Sequence, residues 1–168
     1  MNPNEKGAIL IDVTGSGDVV FDRDLLSRFG HPVMVCHGPE ESACPLLSGS
    51  NCELVDQAHG VMFELDLDQP VHRALLRRYQ DILAEDVPIR AVVRPGQEHT
   101  YADLLERVQV WTKPPDAAQL DGFAAGVEAY DRITGERFER YRHRMGVMSE
   151  HDWERCAVDL ERLRTEMA

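Results

Sequence analysis

Five short apolar runs, each followed by a stretch with helical spacing, set narrow limits on what this chain can fold into. "GAILIDVTG" is an apolar run that ends at Asp12 and Gly15. A helix is predicted next, from Phe21 to Gly30, with Leu25, Leu26 and Phe29 on one face and Gly30 as its stop. "HPVMVCHG" predicts a second strand over Pro32–Cys36, and "HGVMFELDLDQP" a third, from Val61 to Leu65 or Leu67. From Pro70 to Glu85, Val71, Leu75, Leu76, Tyr79, Ile82 and Leu83 recur at helical spacing, with Arg73, Arg77 and Arg78 on the solvated side. "VPIRAVVRPG" predicts a fourth strand, and "TYADLLERV" a short helix capped by Thr100, with Asp103 three residues on. "VQVWTK" predicts a fifth strand, and "PPDAAQLDGFAAGVEAYDRI" a helix with the stripe Leu120, Phe123, Ala124 and Val127. Only "CPLLSGSNCELVDQA" breaks the rhythm, because Ser48–Asn51 interrupt a helical pattern with turn residues.

Strands that alternate with helices pair in parallel through right-handed crossovers. Strands that are apolar almost throughout belong in a sheet covered on both faces. The expected fold is therefore α/β, a doubly wound five-stranded parallel sheet of flavodoxin-like type. In such a sheet the functional groups gather outside the carboxyl ends of the strands.

The 168 residues suffice for one core and an appendage. Residues 1–131 hold 10 Lys and Arg against 22 Asp and Glu, and residues 132–168 hold 8 of each, which together make the net charge of −12. A chain this acidic is not drawn to nucleic acid or to an anionic membrane by its mean field. Its apolar runs are far shorter than the roughly 20 residues of a membrane span. The polar start "MNPNEKG" lacks the apolar core of a signal peptide, so a cytoplasmic protein is expected. The charge contrast near Gly135 marks an expected division into an α/β domain, 1–131, and a helical extension, 132–168. The extension reads as a hairpin of two helices meeting near Gly146–Ser149, with Trp153, Cys156, Val158, Leu160 and Leu163 on an apolar side. So short a pair must bury that side, against its own domain, a second copy or a partner protein.

Asp12 ends the first strand, "DLDQP" (Asp66–Pro70) follows the third, and "TKPPD", with Lys113 and Pro114, follows the fifth. This order resembles the receiver domain of two-component response regulators, over roughly residues 7–130. The resemblance implies that Asp66 is the phosphoacceptor and that Asp12 and Asp68 help hold Mg²⁺. It also implies that Lys113 pairs with the phosphoryl oxygens and that Lys113–Pro114 is cis. The chain departs from the receiver pattern in three places. One acid, not two adjacent ones, follows the first strand. Val93 or Arg94 stands where the fourth strand of a receiver ends in Ser or Thr. The interval from Asp12 to Asp66 is about ten residues longer than usual for that resemblance. The expected reading is a degenerate receiver-like regulatory module in a non-enzymatic role, with a cysteine-containing insertion.

That insertion, "CHGPEESACPLLSGSNC", carries Cys36, Cys44 and Cys52. In a reducing compartment such thiols are free, metal-bound or redox-active rather than structural bridges. Their spacing is not that of a zinc knuckle. A zinc ion or an iron–sulfur cluster needs a fourth ligand, for which His37, His59 and Cys156 are available. A reversible disulfide and inert buried thiols are the other two readings. A thiol-nucleophile loop after Cys36 is disfavoured, because Glu40 and Glu41 raise a thiol pKa and no Arg follows. The chain has no dinucleotide-binding, phosphate-loop, G-x-S-x-G or H-E-x-x-H motif. The alternative to a receiver-like regulator is thus a metal, iron–sulfur or thiol redox sensor on the same fold.

Overall fold

Parallel pairing is what the strand–helix alternation demands, and the structure has it throughout. The computed structural model describes residues 7–14, 20–39 and 43–146. The strands are β1 (Ala8–Asp12), β2 (Val33–Cys36), β3 (Ala58–Phe63), β4 (Ile89–Val92) and β5 (Gln109–Trp111). They form one sheet in the order β2-β1-β3-β4-β5, every pair parallel. The helices are α1 (Val20–Arg28), α2 (Glu53–Asp56), α3 (Pro70–Ile82), α4 (Gln97–Thr100), α5 (Ala102–Leu105) and α6 (Ala117–Gly146). One face of the sheet packs Ile9, Ile11, Val13 and Met62 against Leu26 of α1 and Leu120, Phe123, Ala124 and Val127 of α6. The other packs Leu10, Val61, Phe63 and Ala91 against Val55 of α2, Leu75, Leu76 and Tyr79 of α3 and Leu104 and Leu105 of α5.

Local chemistry explains where the helices start and stop. α1 ends at Gly30, whose φ of 86° is left-handed, so that His31 N–H reaches the Leu26 carbonyl at 3.3 Å. α3 opens with Pro70 at its first position, where the missing N–H costs nothing. α6 opens with a reciprocal box. Gln119 N–H donates to Asp116 Oδ1 at 2.9 Å, and Asp116 N–H to Gln119 Oε1 at 3.0 Å.

Several boundaries differ from those the sequence predicts. β3 starts three residues earlier, at Ala58, and stops at Phe63, so Leu65 and Leu67 are not strand residues. They are buried all the same, because the β3–α3 connection folds back onto the core. The predicted helix capped by Thr100 is two single turns, α4 and α5, broken at Tyr101 (φ −116°, ψ 30°). Thr100 does not cap: its Oγ1 donates backward to the Gly96 carbonyl at 3.0 Å. The Lys113–Pro114 bond, expected cis, is trans.

The chain divides into two compact units, 1–132 and 133–168. α6 runs without a break from Ala117 through Gly135 to Gly146, so the change in composition at Gly135 interrupts no helix. The described part of the second unit, 133–146, is the continuation of α6. The predicted second helix of the hairpin, from Ser149 on, lies outside the described residues. Among the described residues no helix is long and apolar enough to cross a membrane.

β3 and α6 approach closely only because position 60 has no side chain. A Cβ at Gly60 would stand 2.5 Å from Val127 Cγ2 and 3.1 Å from Phe123 Cζ. Gly60→Ala is therefore expected to destabilise the protein by about 1–3 kcal/mol through overpacking. Gly122→Ala, on a part of α6 where a Cβ meets nothing within 4 Å, is expected to stabilise it by roughly 0.5–1 kcal/mol. Chemical denaturation of the two variants beside the parent reads both signs.

Candidate functional site at the carboxyl edge of the sheet

The connection after β3 and the connection after β4 are joined by charge. Asp66 leaves β3 in an Asx turn, its Oδ1 accepting the Asp68 N–H at 3.0 Å. Arg94, two residues after β4, donates from Nη2 to Asp66 Oδ1 at 2.8 Å and also to Asp68 Oδ2. Gln97 Nε2 donates to the same Asp66 Oδ1 at 2.9 Å, while Gln97 Oε1 accepts the Arg94 N–H at 3.1 Å. Gly96 lets the chain turn there, with a left-handed φ of 96°. Tyr101 hydroxyl donates to Asp68 Oδ1 at 2.9 Å. Arg73 lies over the Tyr101 ring at 5.2 Å and donates to the Leu67 carbonyl at 2.6 Å. The buried His72 has Nδ1 2.8 Å from the Asp66 carbonyl. Two loops and the Tyr101 break are thereby one polar network.

The electrostatics follow. Slight burial pushes the Asp66 carboxyl upward, but the Asp68 N–H, the Gln97 amide and the Arg94 charge outweigh it and hold Asp66 below the usual carboxylate range. Asp66 Oδ1 takes three donors; Oδ2 takes none among the described residues. One guanidinium thus spans two carboxylates.

Asp12 is elsewhere in chemical terms. It is 0% exposed at the end of β1, opposite Cys36 on β2 and Phe63 on β3 in register, so its side chain faces the core beneath α3. Tyr79 hydroxyl donates to its Oδ1 at 3.1 Å, and Oδ2 has no partner in ordinary hydrogen-bond geometry among the described residues. Burial drives the Asp12 pKa up to about 7, although the Tyr79 and Cys36 hydrogen bonds pull the other way. Burial, then the Asp12 charge, pushes the Cys36 thiol up to about 11. Burial and Asp12 also raise the Tyr79 hydroxyl.

Glu64, the residue that directly follows β3, was not singled out by motif. Its N–H donates to the Asp12 carbonyl at 2.8 Å. Burial, then the charge and hydrogen bond of Asp22 on α1, raises its pKa to about 7. The Asp-Leu-Asp-Gln-Pro turn points to Asp66, while the carboxyl end of β3 itself carries Glu64. Arg94, Gln97 and Tyr101 were also outside any motif; Arg94 stands in the sequence only as a missing hydroxyl. Lys113 lies exposed after β5 and makes no hydrogen bond or ion pair with the described residues. One sequence signal supports attention to it: the chain's 18 cationic residues include only two lysines, Lys6 and Lys113.

Cys36, Cys44 and Cys52 are free thiols, half-buried, and all pack against the core beneath α3. His37 is exposed at the surface. Among the described residues no three His, Cys, Asp or Glu side chains converge as a metal ion would need.

Two outcomes are expected from the buried acid. Above about pH 4 the unfolded chain releases the Asp12 proton while the folded chain holds it to about 7, so stability falls as pH rises through that window and then levels. Asp12→Asn is expected to match the parent near pH 4 and to exceed it at pH 8, by on the order of 3 kcal/mol, in urea melts. The same variant is expected to speed alkylation of Cys36 by iodoacetamide at pH 8, followed by mass spectrometry.

No protein-family model matches the chain, and no curated protein does. Solved structures do. A response regulator protein from Burkholderia multivorans is 17% identical, with a TM-score of 0.55 over 73% of this chain and 95% of that one. A response regulator receiver domain from Clostridium thermocellum is 14% identical, with a TM-score of 0.54 over 77% and 97%. A structure described as adenylate cyclase from Rhodopirellula baltica is 19% identical, with a TM-score of 0.54 over 81% and 98%. The order of the five parallel strands, the two helical layers and these likenesses agree: the chain has the fold of response-regulator receiver domains.

Proposed function

We propose that the protein is a receiver-like regulatory module that works without phosphoryl transfer, and that Arg94 stands in for the cation at its edge. The observation that carries this is the double ion pair of Arg94 with Asp66 and Asp68. Three supports add to it. Asp12 is turned into the core and bonded to Tyr79. Asp68 is engaged by Arg94 and Tyr101, which leaves it poorly placed to bind Mg²⁺. The residue after β4 that would offer a hydroxyl to a phosphoryl oxygen is Val93 or Arg94. In this reading Asp66 is a structural anion, and Lys113 is a surface cation open to a partner. The role is non-enzymatic and cytoplasmic, with protein contacts or self-association through the helical extension 132–168.

The competing phosphoacceptor reading rests on Asp66 Oδ2, which is open to an electrophile. Incubation with labelled acetyl phosphate and Mg²⁺ separates the two. The expected result is no label on the parent protein. Mg²⁺-dependent label that disappears in Asp66→Ala would show that Asp66 accepts a phosphoryl group, and would overturn the proposal. Sedimentation of the full chain across concentrations tests self-association, a concentration-dependent dimer being expected.

A further inference from the structure

The amino end of the sheet carries a second cluster of titratable side chains, far along the strands from Asp66. On α6, burial against the sheet stops at Val127. From Glu128 to Glu136 every residue is exposed or half-buried. Gly126 and Gly135 lie in and beside this stretch, and a Cβ at either would touch nothing within 4 Å. Each costs a helix roughly 1 kcal/mol relative to Ala. Ile133 and Thr134 are β-branched and add to the weakness. The helix thus continues where both propensity and apolar packing have run out.

Polar contacts hold it there. Asp131 Oδ2 accepts the Gly7 N–H at 2.8 Å. Asp131 Oδ1 lies 2.5 Å from His59 Nδ1, at the start of β3. The Tyr130 ring stands edge-on to His59, with centroids 5.6 Å apart. His31, buried before β2, has Nδ1 3.0 Å from the Gly7 carbonyl and Nε2 3.9 Å from Glu128. Gly7 leaves no room for a Cβ against His59. Asp131 therefore ties one turn of α6 to the segments that enter β1 and β3, and Glu128 reaches the segment that enters β2.

We propose that Asp131 is the bolt of a latch, and that the turn 128–132 of α6 opens from the sheet separately from the unfolding of the sheet. Hydrogen bonds to half-buried groups exchange with water at little net cost, whereas the Val127–Phe123 seat on Gly60 does not. The opening unit is therefore the part of α6 beyond Val127. Because α6 continues to Gly146, release of this turn acts on the helix where the second unit begins. Asp131 is a positioning residue in this scheme, and His59 is its main partner.

Amide hydrogen exchange on the full chain tests the latch. Asp131→Ala is expected to speed exchange of amides 128–134 about tenfold or more, with β1 and β3 within about twofold of the parent. Asp131→Asn, which still accepts from Gly7 and can donate to His59, is expected to retain most of the protection. His59→Ala should speed the same amides, and the double variant should add little to Asp131→Ala alone. Equal acceleration in β1, β3 and α6 would mean ordinary loss of global stability and would overturn the proposal. So would unchanged exchange in 128–134, or additive effects of the two substitutions.

Discussion

Burial of β1 and β3 on both faces is the constraint on which the rest depends. Ile9, Leu10 and Ile11 on β1, and Val61, Met62 and Phe63 on β3, are 0% exposed. Two helical layers are needed to cover them, and a parallel sheet with crossover helices supplies both. Once the register is set, Asp12, Cys36 and Phe63 share a row, and Asp12 must face the core. The Asp12 carboxyl is thereby enclosed and bonded to the Tyr79 hydroxyl.

What remains at the edge is a charge balance made within the chain. Asp66 and Asp68 are close enough to repel, and Arg94 offsets both. Gln97, Tyr101 and Arg73 extend the network from the β4 side back to α3. Apart from the buried Gln97, these side chains are half-exposed or exposed, so the net energy of each ion pair is modest. Their effect is positional: the β3–α3 and β4–α4 connections hold each other in place. Glu64, which follows β3, has its pKa raised to about 7 by burial and then by Asp22.

The alternation of apolar runs was enough to read the number of strands, their parallel pairing and the helices α1, α3 and α6. β3 was misplaced because Leu65 and Leu67 continue the apolar run beyond the last paired residue; burial in a loop and burial in a strand look alike in one dimension. The break at Tyr101 was hidden because Thr100 and Asp103 have the spacing of a cap. The acids Asp12, Asp66 and Asp68 were readable as edge residues, but their orientation was not, since it follows from register. Arg94 was invisible as a partner because an ion pair between positions 28 apart leaves no local signal. Glu64 was passed over for the same reason, its significance coming from the strand end that precedes it. The latch at Asp131 joins positions 72 and 124 apart and leaves no sequence trace at all.

Arg94 is proposed to supply the positive charge at the carboxyl edge. Titration of the full chain with Mg²⁺, alone and with beryllofluoride as a phosphoryl mimic, followed by amide NMR, tests it most directly. No saturable shift of residues 64–68 or 94–97 is expected. A saturable shift centred on Asp66 that displaces the Arg94 guanidinium resonance would contradict it.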